Sequence, residues 1–300
     1  MILVTGANGQ LGQCFRQAAT HWPGQVFVFA GSQELDLSDR RAVRAFIKSW
    51  QSLQSLQDDK LRWVINCAAY TAVDKAESEP EKARKVNVLG TQNLAEACAE
   101  FGIPLVHFST DYVYHNRQNT PFLETDPVSP KGVYARTKLA GERAALRAHP
   151  LSMIIRTSWV YSAFGQNFVK TMLRLGREHA TLKVVADQIG SPTYAPDLAD
   201  AVLSIIQKVE SGEVPKESIA GIWHYANEGV ASWYDFAAAI FELEKIPCRA
   251  YPIATKDYPT PARRPPFSVL DKSKIKAAFG LEIPHWRESL QQCLILLQTS

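Results

Sequence analysis

A chain of 300 residues with 46% apolar and 21% charged side chains is an ordinary globular sequence, long enough to bury a large core in one large or two closely joined domains. The formal charge is +3, and 30 acidic residues are scattered among 33 basic ones without a Lys/Arg run that would track a phosphate backbone, which argues against a nucleic-acid partner. No apolar stretch approaches the roughly 20 residues of a membrane helix and the first residues read as a strand, not a signal peptide, so the expectation is a cytoplasmic protein without membrane attachment.

The chain opens Met1-Ile2-Leu3-Val4-Thr5-Gly6-Ala7-Asn8-Gly9-Gln10-Leu11-Gly12. An apolar strand at 2–5 breaks into three glycines spaced three apart, and apolar residues resume at helical spacing with Leu11 and Phe15, the pattern of a strand turning sharply into a helix. Gly6 would allow the tight turn, Gly9 the close approach of a phosphate and Gly12 the packing of helix on strand. The helix N-terminus then becomes an anion site, and the implied ligand is a dinucleotide. A glycine-rich turn without a ligand is the competing reading; its place directly after a buried-type strand favours the cofactor.

The first helix should end near Trp22-Pro23-Gly24, and Val26-Phe27-Val28-Phe29 reads as the second strand. Ser38 is expected to cap a helix that buries Val43, Phe46, Ile47 and Trp50 along one face. The polar tract from Gln51 to Lys60 reads as a loop or frayed extension. Trp63-Val64-Ile65-Asn66-Cys67 is the next strand, Pro80 opens a long helix through Val86, Leu94 and Cys98, and Leu105-Val106-His107-Phe108 follows as a strand. A helix over about 133–148 and the strand Met153-Ile154-Ile155 complete six strands by about residue 158. Apolar strands alternating with helices imply a doubly wound parallel α/β sheet of the Rossmann type over about residues 1–158.

The second half is less regular. Helices are predicted near 165–178, 197–210, 232–244 and 286–298, short strands near 182–186 and 222–226, and a Pro-rich loop at 258–266. Residues 159–300 are expected to form mostly a smaller α/β cap over the carboxyl edge of the sheet, with some segments returning to the first domain. The five cysteines, Cys14, Cys67, Cys98, Cys248 and Cys293, lack CxxC spacing and read as reduced packing residues.

Tyr134 and Lys138 are four apart on the predicted helix, so both face one side at contact distance. Such pairs are common on solvated helices. What raises this one is Ser109-Thr110-Asp111-Tyr112, at the carboxyl end of the preceding strand, where a hydroxyl would lie over the nicotinamide end of a cofactor seated on the glycine turn. Thr110, Tyr134 and Lys138 then suit hydride transfer to a ketone, with Thr110 polarising the oxygen and Tyr134 as general acid. Lys138 would hold the cofactor ribose and lower the tyrosine pKa. His107, mid-strand, reads as a packed core residue.

Through Thr5 to Gly12, Asn66-Cys67-Ala68-Ala69 and Tyr134-Ala135-Arg136-Thr137-Lys138 the chain resembles the extended short-chain dehydrogenase/reductases. Within them it is similar to the dTDP-4-dehydrorhamnose reductase family over almost its whole length, through 69–77, Val86-Asn87, Ser109 to Tyr114, Arg156 to Tyr161, Asn167-Phe168, Asp187 to Thr193 and Arg264-Pro265 with Ser268 and Leu270. The resemblance implies a Rossmann fold with a substrate cap, and NADPH, or NADH in its place, as cofactor. It implies reduction of the C4 ketone of dTDP-4-dehydro-β-L-rhamnose to dTDP-β-L-rhamnose. The cofactor residues are then Gly6, Asn8, Gly9, Gln10, Leu11, Asp36, Leu37, Cys67, Ala68, Ala69, Tyr134 and Lys138. A dTDP-sugar is met by Thr71, Val73, Thr110, Asp111, Tyr112, Trp159, Asn167 and Arg264, with Trp159 flooring the sugar and Asn167 and Arg264 at the diphosphate; plain core packing of Trp159 and a solvated Arg264 are the competing readings. Asn87 is expected to fix local structure near the lysine.

Two departures matter. Relatives often carry an arginine after the second strand for a 2′-phosphate, where this chain reads Ala30-Gly31-Ser32-Gln33, with Arg40 and Arg41 further on. Some members are Mg²⁺-dependent dimers with glutamates at the contact; here Cys14, Pro196 and Arg287 occupy those segments, so the metal is not carried over, while a homodimer stays open. The rival readings are a sugar-nucleotide dehydratase, which needs an acidic pair where Asp111 is followed by Tyr112, an epimerase that keeps NAD, and a regulatory subunit resembling that of methionine adenosyltransferase.

Overall fold

The computed structural model describes residues 1–51 and 60–298, so most of the polar tract expected as a loop after Gln51 lies outside the described residues. The first half runs β1 (Ile2–Thr5), α1 (Gln10–Ala18), β2 (Phe27–Ala30), α2 (Arg40–Gln51), β3 (Trp63–Asn66), α3 (Val73–Ser78), α4 (Pro80–Arg84), α5 (Thr91–Phe101), β4 (Leu105–Thr110), α6 (Gly132–Ala148) and β5 (Ser152–Thr157). The second half adds β6 (Val160–Tyr161), α7 (Phe168–Glu178), β7 (Thr181–Val185), β8 (Ile189–Gly190), β9 (Thr193–Tyr194) and α8 (Ala195–Glu210). It closes with β10 (Gly221–His224), β11 (Ala231–Ser232), α9 (Trp233–Leu243), β12 (Arg249–Ile253), α10 (Ser273–Phe279) and α11 (Trp286–Gln298).

The central sheet is parallel throughout, in the order β10-β5-β4-β3-β1-β2. Alternation along β1 shows why both faces are covered: Ile2 and Val4 join a core with Phe15 of α1 and Leu198 and Val202 of α8. Leu3 joins the opposite core with Val43 and Ile47 of α2, Leu94 and Cys98 of α5 and Ala145 of α6. A separate core built from Met172, Phe236, Ile240 and Leu290 holds the second half together beside the carboxyl edge.

Three expectations need correction. Five strands, not six, are complete by residue 158; the sixth is β10, which pairs with β5 from the second half, while α8 covers one face of the same sheet. A strand is expected near 222–226, but no local pattern says that a segment 63 residues beyond β5 returns to pair with it. The cap of α2 is Asp39, whose carboxylate accepts the N–H groups of Arg41 and Ala42, because Ser38 turns its hydroxyl back to Asp36. The helix from Pro80 is not continuous α-helix: a π-helical stretch, Lys85–Gly90, separates α4 from α5.

That widened turn is where α6 crosses most closely. Asn87 within it accepts the N–H of Tyr70 and donates to the Tyr70 carbonyl and to Thr137 of α6. A Cβ on Gly141 would stand 2.1 Å from the Asn87 carbonyl oxygen, so only glycine admits this approach. Gly141→Ala should therefore destabilise the fold by about 1–3 kcal/mol through overpacking, measurable as a lowered urea midpoint, with loss of activity following the shift of α6.

Candidate active site

The cradle at the end of β1 needs glycine for two different reasons. Gly6 adopts φ +66°, and a Cβ there would meet the Ala68 backbone nitrogen at 2.5 Å; a Cβ on Gly12 would meet the Gly6 carbonyl at 2.4 Å. Gly9 precedes α1 in extended conformation and no side chain caps the helix, which leaves its leading N–H groups facing outward as an anion site. Beside it a pocket of about 170 Å³ is lined by Gly6, Gly31, Leu35, Asp36, Leu37 and Ala68. Asp36 is held below the usual carboxylate range by the Ser38 hydroxyl and N–H, and Leu37 is buried.

Other members of the expected cofactor set play scaffold parts in these contacts. Asn66 of β3 receives Thr5 and Ala68 and meets His107, so the strand ends beneath the cradle are locked together, followed by Cys67, Ala68 and Ala69 at the lip. Leu11 packs on the core below. Asn8 accepts the Gln13 amide through its carbonyl oxygen. Gln10 donates to the Val160 carbonyl and accepts from Asn167, tying α1 to the second half of the chain.

β4 and β5 pair with Thr110 beside Thr157, which sets Thr110 at the carboxyl edge. Its hydroxyl donates to Asp111 at 3.2 Å and caps the N–H of Tyr112 at 3.2 Å, and it acts on the nearby Tyr134 phenol. Tyr112 stands edge-on to Tyr134, with ring centroids 5.8 Å apart. Burial pushes the Tyr134 phenol up to about 12, against the Thr110 hydrogen bond and with help from the nearby Asp111. This corrects the expectation of a lowered tyrosine: Lys138 turns its ammonium to the Phe108 carbonyl at 2.6 Å, and burial pulls Lys138 itself down to about 8, opposed by Glu142. Asp111 is raised to about 7, chiefly by burial, against hydrogen bonds from Ser268 and Thr110.

Behind these groups lies an arrangement that the sequence reading missed. Glu142 of α6 and Arg156 of β5 form a buried ion pair at 2.7 Å; Ser109 donates to Glu142, and Arg156 donates to the Tyr114 hydroxyl, which meets His224 of β10 at 2.9 Å. Burial and the Arg156 charge drive His224 to about 3, so it stays neutral. A signal was present in the spacing: Tyr134, Lys138 and Glu142 repeat every four residues along one helix face.

Trp159 follows β5 with φ +48° and stacks on Trp233 of α9, centroids 3.5 Å apart, while its indole fills the space a Gly190 side chain would take. Thr71 is exposed and Val73 opens α3. Arg264 is far from a solvated loop cation: it grips Asp74 of α3. Asn167 departs from its expected diphosphate role, since its carbonyl oxygen caps α7 and its amide donates to Gln10, Ser162 and Phe164, which leaves no donor over. Among the described residues no group of three or more His, Cys, Asp or Glu side chains is placed to hold a metal ion.

A doubly wound sheet, a glycine cradle at its first turn and a Thr-Tyr-Lys set at its carboxyl edge define the extended short-chain dehydrogenase/reductase class. The family profile described as "RmlD substrate binding domain" matches residues 1–299. A dTDP-4-dehydrorhamnose reductase from Aggregatibacter actinomycetemcomitans is 41% identical over 297 residues, 97% of either chain. Among solved structures, a dTDP-4-dehydrorhamnose reductase from Clostridium acetobutylicum superposes with a TM-score of 0.90 at 39% identity, covering 99% of both chains. One from Bacillus anthracis in complex with NADP gives 0.89 at 34% identity over 98% of both. The chain belongs to the dTDP-4-dehydrorhamnose reductase family.

Asp111 supplies a pH test of the site. The folded chain keeps its proton up to about pH 7, whereas the unfolded chain releases it near about pH 4, so this group makes stability fall as pH rises between the two. Asp111→Asn cannot titrate. The stability of the variant relative to wild type should grow from pH 4 to pH 7 and level off above, read from urea midpoints across that range.

Proposed function

We propose that this chain reduces the C4 ketone of dTDP-4-dehydro-β-L-rhamnose to dTDP-β-L-rhamnose, in a crevice between a cofactor domain at about 1–158 and a cap drawn mostly from 159–300. The observation that carries the reading is the placement of Thr110, at the carboxyl end of β4, and of Tyr134, edge-on to the adjoining Tyr112, at the sheet edge that the glycine cradle also faces. The bound nicotinamide supplies the hydride; the residues of the chain do the rest. Thr110 and Tyr134 grip the ketone oxygen, and Tyr134, held protonated by burial, delivers its proton as the alkoxide forms. Lys138 keeps a cation beside the phenolate that is left and would anchor the cofactor ribose, while Gly9, Gln10 and Leu11 would hold the pyrophosphate and Asp36 and Leu37 the adenosine end. Trp159 floors the sugar, and Thr71, Val73, Asp111, Tyr112 and Arg264 complete the substrate wall.

NADPH is the cofactor this reading names, after the NADP in the Bacillus anthracis relative. The loop Ala30-Gly31-Ser32-Gln33 carries no arginine for a 2′-phosphate, so NADH is the arm to run beside it. A dehydratase is disfavoured because Asp111 is followed by Tyr112, without the second acid that elimination of water requires.

The test is oxidation of NADPH or NADH followed by absorbance, with the keto-sugar nucleotide made in situ. Tyr134→Phe should leave binding intact and lower turnover by roughly 10²–10⁴-fold; wild-type protein that leaves both nicotinamides unoxidised, or a variant that turns over normally, overturns the assignment. Because Lys138 releases its proton at about 8, kcat/KM should fall as pH rises above that value, and a flat profile to pH 10 would exclude the lysine cation from the mechanism.

A further inference from the structure

The Pro-rich loop that carries Arg264 is fastened to the opposite side of the crevice by one carboxylate. Asp74, on α3, takes Arg264 as a fork: Nη2 to Oδ2 at 2.7 Å and Nη1 to Oδ1 at 3.2 Å. The same Oδ1 accepts the Ala262 N–H at 3.1 Å, and Nη1 also donates to the Thr260 hydroxyl at 2.6 Å and the Ala262 carbonyl at 3.0 Å. The pair bridges 190 residues of sequence and is only partly accessible, with side-chain exposures of 22% for Arg264 and 40% for Asp74. Asp74 follows Val73 at the start of α3, and both charges of the fork reach Tyr112, so the fork lies beside the expected substrate wall and not on a remote surface.

A guanidinium has five N–H donors. Here Nη1 is fully engaged with the loop and Asp74, while among the described residues none accepts the Nε–H and Nη2 has a single partner. The geometry points to Asp74 as the positioning residue that aims the free edge of Arg264, Nε–H and the second Nη2–H, at the diphosphate of a nucleotide sugar. A guanidinium edge matches two oxygens of a phosphate, and a carboxylate behind it fixes the plane of the fork before the ligand arrives. Asp74 itself touches neither sugar nor phosphate. This inference rests on the reading of Arg264 as a diphosphate contact.

The variant is Asp74→Asn, which keeps an oxygen for the Ala262 N–H and removes the charge that orients the fork; Asp74→Glu restores the carboxylate. Two readouts separate this inference from the reductase reading. Calorimetric binding of dTDP needs no turnover, and should weaken by roughly tenfold in Asp74→Asn, the size of one lost charge-assisted hydrogen bond, and recover in part in Asp74→Glu. In the reductase assay KM for the keto-sugar nucleotide should rise by the same factor, with kcat within twofold and the affinity for NADPH unchanged. Weaker dTDP binding in the variant beside a wild-type protein that does not turn over would overturn the reductase reading and leave Asp74 its role. Unchanged dTDP binding, an equal loss of NADPH affinity, or a fall in kcat alone would overturn the positioning role. Should Asp74→Asn fail to fold by thermal melting, Arg264→Lys, which keeps the charge and loses the fork, must show the same KM rise or the inference fails.

Discussion

Glu142 and Arg156 face one another in the interior with side chains 1% and 5% exposed. Desolvating such a pair costs much of what its attraction returns, so its presence is poor evidence of net stability, yet removal of one partner alone costs about 3–5 kcal/mol because the other charge is stranded. Its position explains what it does. Glu142 sits two turns beyond Tyr134 on α6, Arg156 pairs with Ser109 across β4 and β5, and Ser109 donates to Glu142. The pair thus fixes the height and rotation of α6 against the two strands whose next residues are Thr110 and Thr157. Gly141, one residue before Glu142, sets the other side of the helix against Asn87, and between these two contacts the helix has no room to turn.

With the helix so held, burial does the electrostatic tuning. A neutral phenol is the right form for a proton donor to an alkoxide, and Tyr134 is kept neutral by the same desolvation that pulls Lys138 toward its uncharged form. Glu142 opposes the second effect. The carboxylate therefore serves Arg156 structurally and Lys138 electrostatically at once, which is a physical reason for a residue four positions beyond the lysine to be acidic. His224 and Tyr114, at the far end of the same network, stay neutral and act as hydrogen-bond spacers between β10 and Arg156.

What could be read from sequence is what local chemistry dictates. The glycines at 6, 9 and 12, the apolar strands and the four-residue spacing of Tyr134 and Lys138 each follow from backbone geometry within a few residues, and they were enough to place the cradle, Thr110 and Tyr134 on one edge. The direction of the Tyr134 shift was not legible, because the periodic pattern says which residues share a face and nothing about how deeply that face is buried. Ser38 and Asp39 are equally good caps by type, and only the pull of Asp36 on the Ser38 hydroxyl decides between them. The role of Asn167 was hidden for the opposite reason: its partners at Gln10 and Ser162 come from both halves of the chain, and no local pattern reports that its amide is fully engaged.

The two halves are interwoven more than a cofactor domain and a cap would suggest. The second half lends β10 and α8 to the central sheet, and it reaches back to the first at Gln10 and at Asp74. This matters for Trp159, which of the described residues shares positive φ outside glycine only with Lys245. An indole in the left-handed region costs about 1–3 kcal/mol and persists only where its surroundings over-determine it. Here the overdetermination comes from the second half of the chain: Trp233 stacks on one face, Gly190 leaves the space for the ring, and Gln188 receives the Trp233 N–H while donating to Thr255. A strained indole held by three segments of the second half, and a tyrosine whose helix is fixed by a buried ion pair against β4 and β5, are therefore both positioned by the packed core.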